Sequence, residues 1–139
     1  MKILKKLAIV LVVLILIGLA LVAQGLWRFD LYFNPVSAYI MKKSSGKVWG
    51  TRVPMVPKPF PLQSSQVEIE HQLGNSGFVH LDSDKALAAF PDEVSKGHEV
   101  YFREANTLVC NVYLYVILSF EQNNKLLHAE GTSEEQGCL

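Results

Sequence analysis

From Leu7 to Ala23 the chain is uninterrupted apolar sequence, preceded by Lys2, Lys5 and Lys6. A surface helix of a water-soluble domain carries a polar face, and no face of this segment would supply one. The run is longer than the core of an ordinary signal peptide and lies near the lower limit of about 17–25 residues for a bilayer-spanning helix. Insertion in a membrane is therefore the first expectation, as a single-pass anchor or as an export signal. Ala23 and Gly25 are small residues spaced two apart, which a signal peptidase would accept. Against cleavage stand the length of the run and the aromatic residues that follow it. Trp27, Phe29, Tyr32 and Phe33 would form a belt at the membrane–water interface. The retained anchor is the favoured reading. Lysines ahead of the run hold that end in the cytoplasm, so everything after Gly25 is expected outside, which in a bacterium is the periplasm. No cysteine sits near the end of the run for lipidation of the bacterial lipoprotein kind, and Cys138 lies too close to the last residue for prenylation.

The formal net charge is zero, but the charges are divided along the chain. Residues 31–67 carry Lys42, Lys43, Lys47, Arg52 and Lys58 and no acid; residues 68–139 carry twelve acids against four bases. A nucleic-acid-binding domain should be basic on its folded part, whereas the expected folded part here is acidic, so nucleic acid is excluded as a partner.

Between anchor and domain, the stretch "NPVSAYIMKKSSG" is punctuated as a short helix. Asn34 is placed to cap it, Pro35 fits its first position and Gly46 can close it. Lys42 and Lys43 fall in the last turn, where the helix dipole favours cations. Two readings stand: an interfacial helix whose lysines meet anionic headgroups, or a solvated helix packed on the domain. Then Pro54, Pro57, Pro59 and Pro61 crowd eight residues. Prolines at this density remove backbone donors and favour an extended spacer or wrapping arm. The expected plan is a membrane segment over 1–25, a juxtamembrane helix and Pro-rich linker over 26–61, and a small extracytoplasmic domain over 62–139.

That domain reads as α+β, with short helices packed on a three-stranded antiparallel meander. Residues 66–73 alternate as a strand would, yet Ser65 with Glu68 forms a capping box and Gly74 follows, which favours a helix. "SDKALAAFPDEVSKG" is a second helical region, broken or restarted at Pro91. "LVCNVYLYVILSF" is the strongest strand, rich in β-branched and aromatic residues and too short to span a membrane. "HEVYFRE" precedes it as a strand, and "LLHAEGTSEEQGCL" returns from a turn at "QNNK". With Asn123 and Asn124 as a two-residue loop, Phe120 faces Leu127, Leu118 faces Ala129, and Cys110 faces Gly137. One bulge, placed most easily at Gly131, would bring Cys110 opposite Cys138, within the reach of a disulfide. An exported chain with just two cysteines makes that bond the expected one.

No sequence pattern for catalysis is present: no G-x-S-x-G, no H-E-x-x-H, no C-x-x-C and no phosphate-cradling glycine loop. His80, Asp82 and Asp84 lie close in sequence, but "LDSD" ahead of an Ala-rich segment is read as a cap and turn. No catalytic, cofactor-binding or metal-binding residue is expected, and no small-molecule substrate. Tyr113 and Tyr115 stand on the opposite side of the strong strand from its Cys110–Phe120 apolar face. Left uncovered, they make a partner surface; covered by helices, they are core.

"SSQVEIEHQLGNSGF" and "LYVILSFEQNNKLL" resemble the small helix-plus-meander lipoproteins of outer-membrane assembly in Gram-negative bacteria, over about residues 64–131. This chain departs from them in lacking the lipidation cysteine. The resemblance implies a binding or scaffolding role and carries over no site residue. The leading expectation is thus a non-enzymatic, membrane-anchored envelope protein that binds another envelope protein. A periplasmic immunity or inhibitor protein is second. A small hydrolase or metal protein, with His80, Asp82 and His98 assembled in space, is third.

Overall fold

The computed structural model describes residues 2–48, 50–106 and 110–137, with the side chains of residues 2–5, 24–30, 32 and 106 excepted. Trp27, Phe29, Tyr32 and Cys138 therefore lie, by side chain or entirely, outside what is described. In chain order the elements are α1 (Lys2–Phe33), α2 (Pro35–Ser44), β1 (Val53–Pro54), α3 (Gln66–Asn75), β2 (Val79–His80), α4 (Ser83–Ala89), α5 (Pro91–Ser95), β3 (Glu99–Asn106), β4 (Asn111–Phe120) and β5 (Leu126–Gln136). The class is α+β, with a helix at the N-terminus that is long and apolar enough to cross a membrane over Lys6–Ala23. None of that stretch is buried by the rest of the chain, so it is not the core helix of a soluble domain.

The sheet has five antiparallel strands in the order β1-β5-β4-β3-β2, not three. The expected meander is its centre; β1 and β2 add one two-residue strand at each edge. Pieces this short carry no periodicity for a sequence to display. Their brevity, and Pro54 within β1, also suit them to edges, because they leave little backbone to template aggregation.

The boundary expected at residue 62 does not describe the packing. Leu31, Val36, Ile40, Val53, Met55 and Phe60 are all buried, in one cluster with Ile69, Leu73, Leu114, Val116 and Leu118. Asn34 explains how α1 reaches this core without a linker. Its side-chain oxygen accepts from the Val36 and Ser37 amides, both at 3.1 Å, and Pro35 opens α2 directly after it. Val36 and Ile40 then face the sheet, while Lys42 and Lys43 remain exposed. The Pro-rich segment behaves as a wrapping arm, not an extended spacer. Its Phe60 amide donates to the Met55 carbonyl at 3.1 Å, and both side chains are fully buried. Proline density marked it as non-helical and hid two core residues.

Residues 66–75 form the helix favoured over the strand. The capping box is complete, the Ser65 hydroxyl accepting from the Glu68 amide while the Glu68 carboxylate accepts from the Ser65 amide at 2.9 Å. These hydrogen bonds hold the Glu68 carboxyl below its ordinary range. Pro91 does separate two short helices, α4 and α5.

The β4–β5 register differs from expectation near the turn. Leu118 faces Ala129 as expected, but Phe120 pairs with Leu126, and the irregularity lies between Ser119 and Phe120. The loop explains this. The Asn124 amide donates to the Glu121 carbonyl, the Glu121 amide donates to the Lys125 carbonyl, and of the two asparagines Asn124 adopts positive φ (+59°). A three-residue loop ending in the left-handed region adds one residue to the returning strand. That extra residue is Leu127, 55% exposed, while Leu126 turns into the core. No bulge occurs at Gly131, which pairs in register with Val116 on one side and Val53 on the other. The glycine serves close approach instead: a Cβ there would lie 2.7 Å from Ile40 Cγ1 and 2.8 Å from Met55 Sδ.

Gly131→Ala should therefore force α2 and the arm off the sheet, costing about 1–3 kcal/mol as other overpacked cores do. Thermal unfolding followed by circular dichroism should show a melting temperature lower by several degrees. An unchanged melting temperature would mean that this contact is slack.

Candidate functional site

Strand β4 alternates, so its two faces have different fates. Val112, Leu114, Val116 and Leu118 point into the main core beneath α2, α3 and the arm. Tyr113, Tyr115 and Ile117 point to the other side, where only α4 and α5 lie over the sheet. Those helices have seven and five residues, too few to cover it. Ala86 packs on Val100 and Ile117 and closes one end. Phe90, at the junction of the helices, meets Tyr115 edge-on, with ring centroids 5.0 Å apart. Beyond Tyr115 the face is open.

The open half is aromatic. Cross-strand pairing sets Phe102 opposite Tyr115, and their rings are 5.3 Å apart; Phe102 also stacks on Tyr113 at 5.7 Å and 24°. With Val79, Ala89 and Lys85 these rings line a groove of about 440 Å³, which reaches Gln136 at its far end. That volume is within the range of ordinary ligand pockets. The same register places Glu104 and Glu134 directly across from Tyr113, one on each side. Burial raises the Tyr115 hydroxyl above its usual pKa, with the charge of Glu134 and the neighbouring Tyr113 adding to the effect.

An ion-pair chain fixes the closed end. Arg52, just before β1, reaches Glu93 on α5 at 2.5 Å and Glu130 on β5 at 3.3 Å. Glu93 also contacts His98 Nδ1 at 2.6 Å, and Glu130 contacts His128 at 3.2 Å. The Glu93 side chain is 8% exposed, and the hydrogen bond from Arg52 holds its carboxyl below the usual range, against the opposing effect of burial. The chain staples α5 to the β1–β5 side of the sheet. Its acid–base groups are thereby spent on one another.

Of the residues singled out in the sequence, Tyr113 and Tyr115 are brought together, half-buried, in the groove. His80 and Asp82 line the same groove, but His98 is held by Glu93, so these three do not assemble. Among the described residues no group of three or more His, Cys, Asp or Glu is placed to hold a metal ion. Cys110 immediately precedes β4 and is partly buried. Lys42 and Lys43 are exposed at the end of α2, with Lys43 Nζ 5.9 Å from the Tyr39 ring centre, and Phe33 is 75% exposed at the end of α1. Sequence reasoning missed Phe102, Phe90, Glu104 and Glu134. Alternation within "HEVYFRE" was the available signal for Phe102 and Glu104, but the β3–β4 register was needed to set them beside the tyrosines.

No protein family matches this chain, and no curated protein or solved structure matches it.

Glu93 supplies a pH prediction. Its folded-state pKa is depressed, so its contribution to stability is present above the unfolded carboxylate value of about 4.3 and is lost as pH falls through the folded value. Glu93→Gln should lower stability at pH 7 by about 1.5–3 kcal/mol, the usual worth of a hydrogen bond to a charged group. It should also lose less stability than the wild type between pH 5 and pH 3. Equal acid sensitivity in thermal melts of the two proteins would remove Glu93 from this role.

Proposed function

We propose that this protein is a non-enzymatic, membrane-anchored envelope protein whose extracytoplasmic domain binds another protein through the open half of its outer sheet face. The observation that carries the reading is the aromatic groove of Phe102, Tyr113 and Tyr115, which α4 walls on one side and leaves half-exposed. Aromatic side chains in an uncovered concave surface are the residues that dominate protein-binding sites. The membrane part rests on α1, on the lysines that precede its apolar run, and on the aromatic residues that follow it. It is read as a retained single-pass anchor with its N-terminus in the cytoplasm and the domain in the periplasm. Trp27, Phe29, Tyr32 and Phe33 then lie at the interface, with Lys42 and Lys43 toward the headgroups. The resemblance to outer-membrane-assembly lipoproteins points to the same class of role.

A Cys110–Cys138 disulfide belongs to this reading. The register runs without a shift from Ser119 to Asn111, whose partner is Gln136, so Cys138 falls one residue beyond the position opposite Cys110. Gly137, at φ +63°, is where the returning chain leaves its extended course, and no free cysteine is found among the described residues. Closing a loop of this length should contribute about 3–4 kcal/mol, by constraining the unfolded chain.

Two measurements test the proposal. Protein taken from membranes with thiols blocked and no reductant should have an intact mass two hydrogens light and carry no blocking group. Two blocked thiols would overturn the disulfide and weaken the assigned compartment. For the binding face, a photo-crosslinking amino acid at Tyr113 should yield a discrete adduct in intact cells. The same residue at Val67, exposed on α3, should not, and Phe102→Ala should reduce the yield at position 113. No adduct at position 113 would remove the partner surface.

A further inference from the structure

Resting on that binding face, we infer the chemistry of its occupant: an extended, cationic segment of a partner protein that lays an arginine or lysine over Tyr113, between Glu104 and Glu134. The three residues stand side by side on adjacent strands, Glu104 opposite Tyr113 and Tyr113 opposite Glu134. Two strand spacings put the two carboxylate-bearing positions roughly 10 Å apart, with the tyrosine ring between them. Neither glutamate has a hydrogen-bond or ion-pair partner among the described residues. By contrast Glu93 and Glu130, on the same side of the sheet, are both paired with Arg52.

A cation is favoured over an aromatic face by the ring quadrupole, and flanking carboxylates add direct attraction. An anionic or purely apolar occupant would leave both carboxylates desolvated and unpaired, at a cost. The groove does hold one cation of its own, Lys85, which lies 3.4 Å from Asp82. Counting these groups, three carboxylates face one ammonium, so the field over the rings is negative. The floor crosses several strands, from Gln136 through Tyr113 and Phe102 to Val79, with α4 as one wall. A floor that crosses four strands is long enough to take an extended segment. Complementary charge would also speed encounter with such a segment and make it salt-sensitive.

The test uses the full-length protein in phosphatidylcholine nanodiscs, whose zwitterionic surface does not itself recruit basic peptides. Two heptapeptide probes are titrated: one alternating arginine with valine, the other identical but with neutral citrulline for arginine. The arginine peptide should move the amide resonances of Phe102, Tyr113 and Ala89. Citrulline replacement, or the variant Glu104→Gln with Glu134→Gln, should weaken binding about three- to tenfold, as expected for exposed charge and cation–π contacts. Raising the salt should weaken the arginine peptide alone. Equal binding of the two peptides, or no effect of the paired Gln variant, would overturn the cationic occupant and leave the docking face standing. Absence of any shift with either peptide would also overturn it. The crosslink at Tyr113 then decides whether the binding face survives without it.

Discussion

Strand β4 is paired on both sides from Asn111 to Leu118, and that double pairing is the constraint on which the rest depends. A strand held this way has no freedom to rotate, so its alternation is imposed on the whole sheet. One set of side chains must be buried completely, and Leu114, Val116 and Leu118 are 0% exposed. The other set emerges on the far face in fixed order: Ile117 beneath Ala86, Tyr115 against Phe90, Tyr113 in the open. The gradient from core to groove along that face follows from how far α4 and α5 reach. Arg52 fixes where they lie, by tying Glu93 to Glu130. Stability and the candidate site are thus opposite sides of one strand.

The same core binds α1 to the rest of the chain. Leu31 lies in the last turns of α1 and is 3% exposed, packed with Val36 and Ile40 under the sheet. A flexible linker would let the domain tumble above a membrane; here a helix enters the hydrophobic core directly. The apolar window Lys6–Ala23 corresponds to about 27 Å of helix, close to the hydrocarbon thickness of a bilayer. On the proposed reading the domain is therefore carried at a fixed height and with a defined azimuth, an arrangement suited to presenting one face to a neighbour.

Local chemistry made part of this legible in the sequence. The caps of α2 and α3 could be read because a cap is a matter of a few adjacent residues: Asn34 before Pro35, Ser65 before Glu68. Strand β4 declared itself by composition, and the turn at residues 121–125 by its asparagines. What failed to show depended on distant partners. Four prolines argue against helix and ladder and so make the arm read as a linker, yet Met55 and Phe60 are buried once the sheet exists to receive them. Gly131 suggested a bulge because glycine permits one; the actual reason for a small residue is the approach of Ile40 and Met55, invisible without the fold. For the groove, the tyrosines were visible, but Phe102 and the two glutamates needed the register that sets them alongside.

The division of charge along the chain also acquires a spatial meaning. Lys42 and Lys43 are exposed on α2 and Lys58 on the arm, the layer that α1 enters; Glu104 and Glu134 border the groove on the opposite face of the sheet. A net charge of zero thus conceals a dipole across the sheet. Beside an anionic membrane surface such a dipole has a preferred orientation, worth about 1 kcal/mol for each basic residue within a Debye length. Basic groups are drawn toward the headgroups and acidic ones are repelled. On the proposed reading α1 would supply the attachment, and the charge separation would turn the aromatic groove away from the bilayer, toward whatever approaches from the other side.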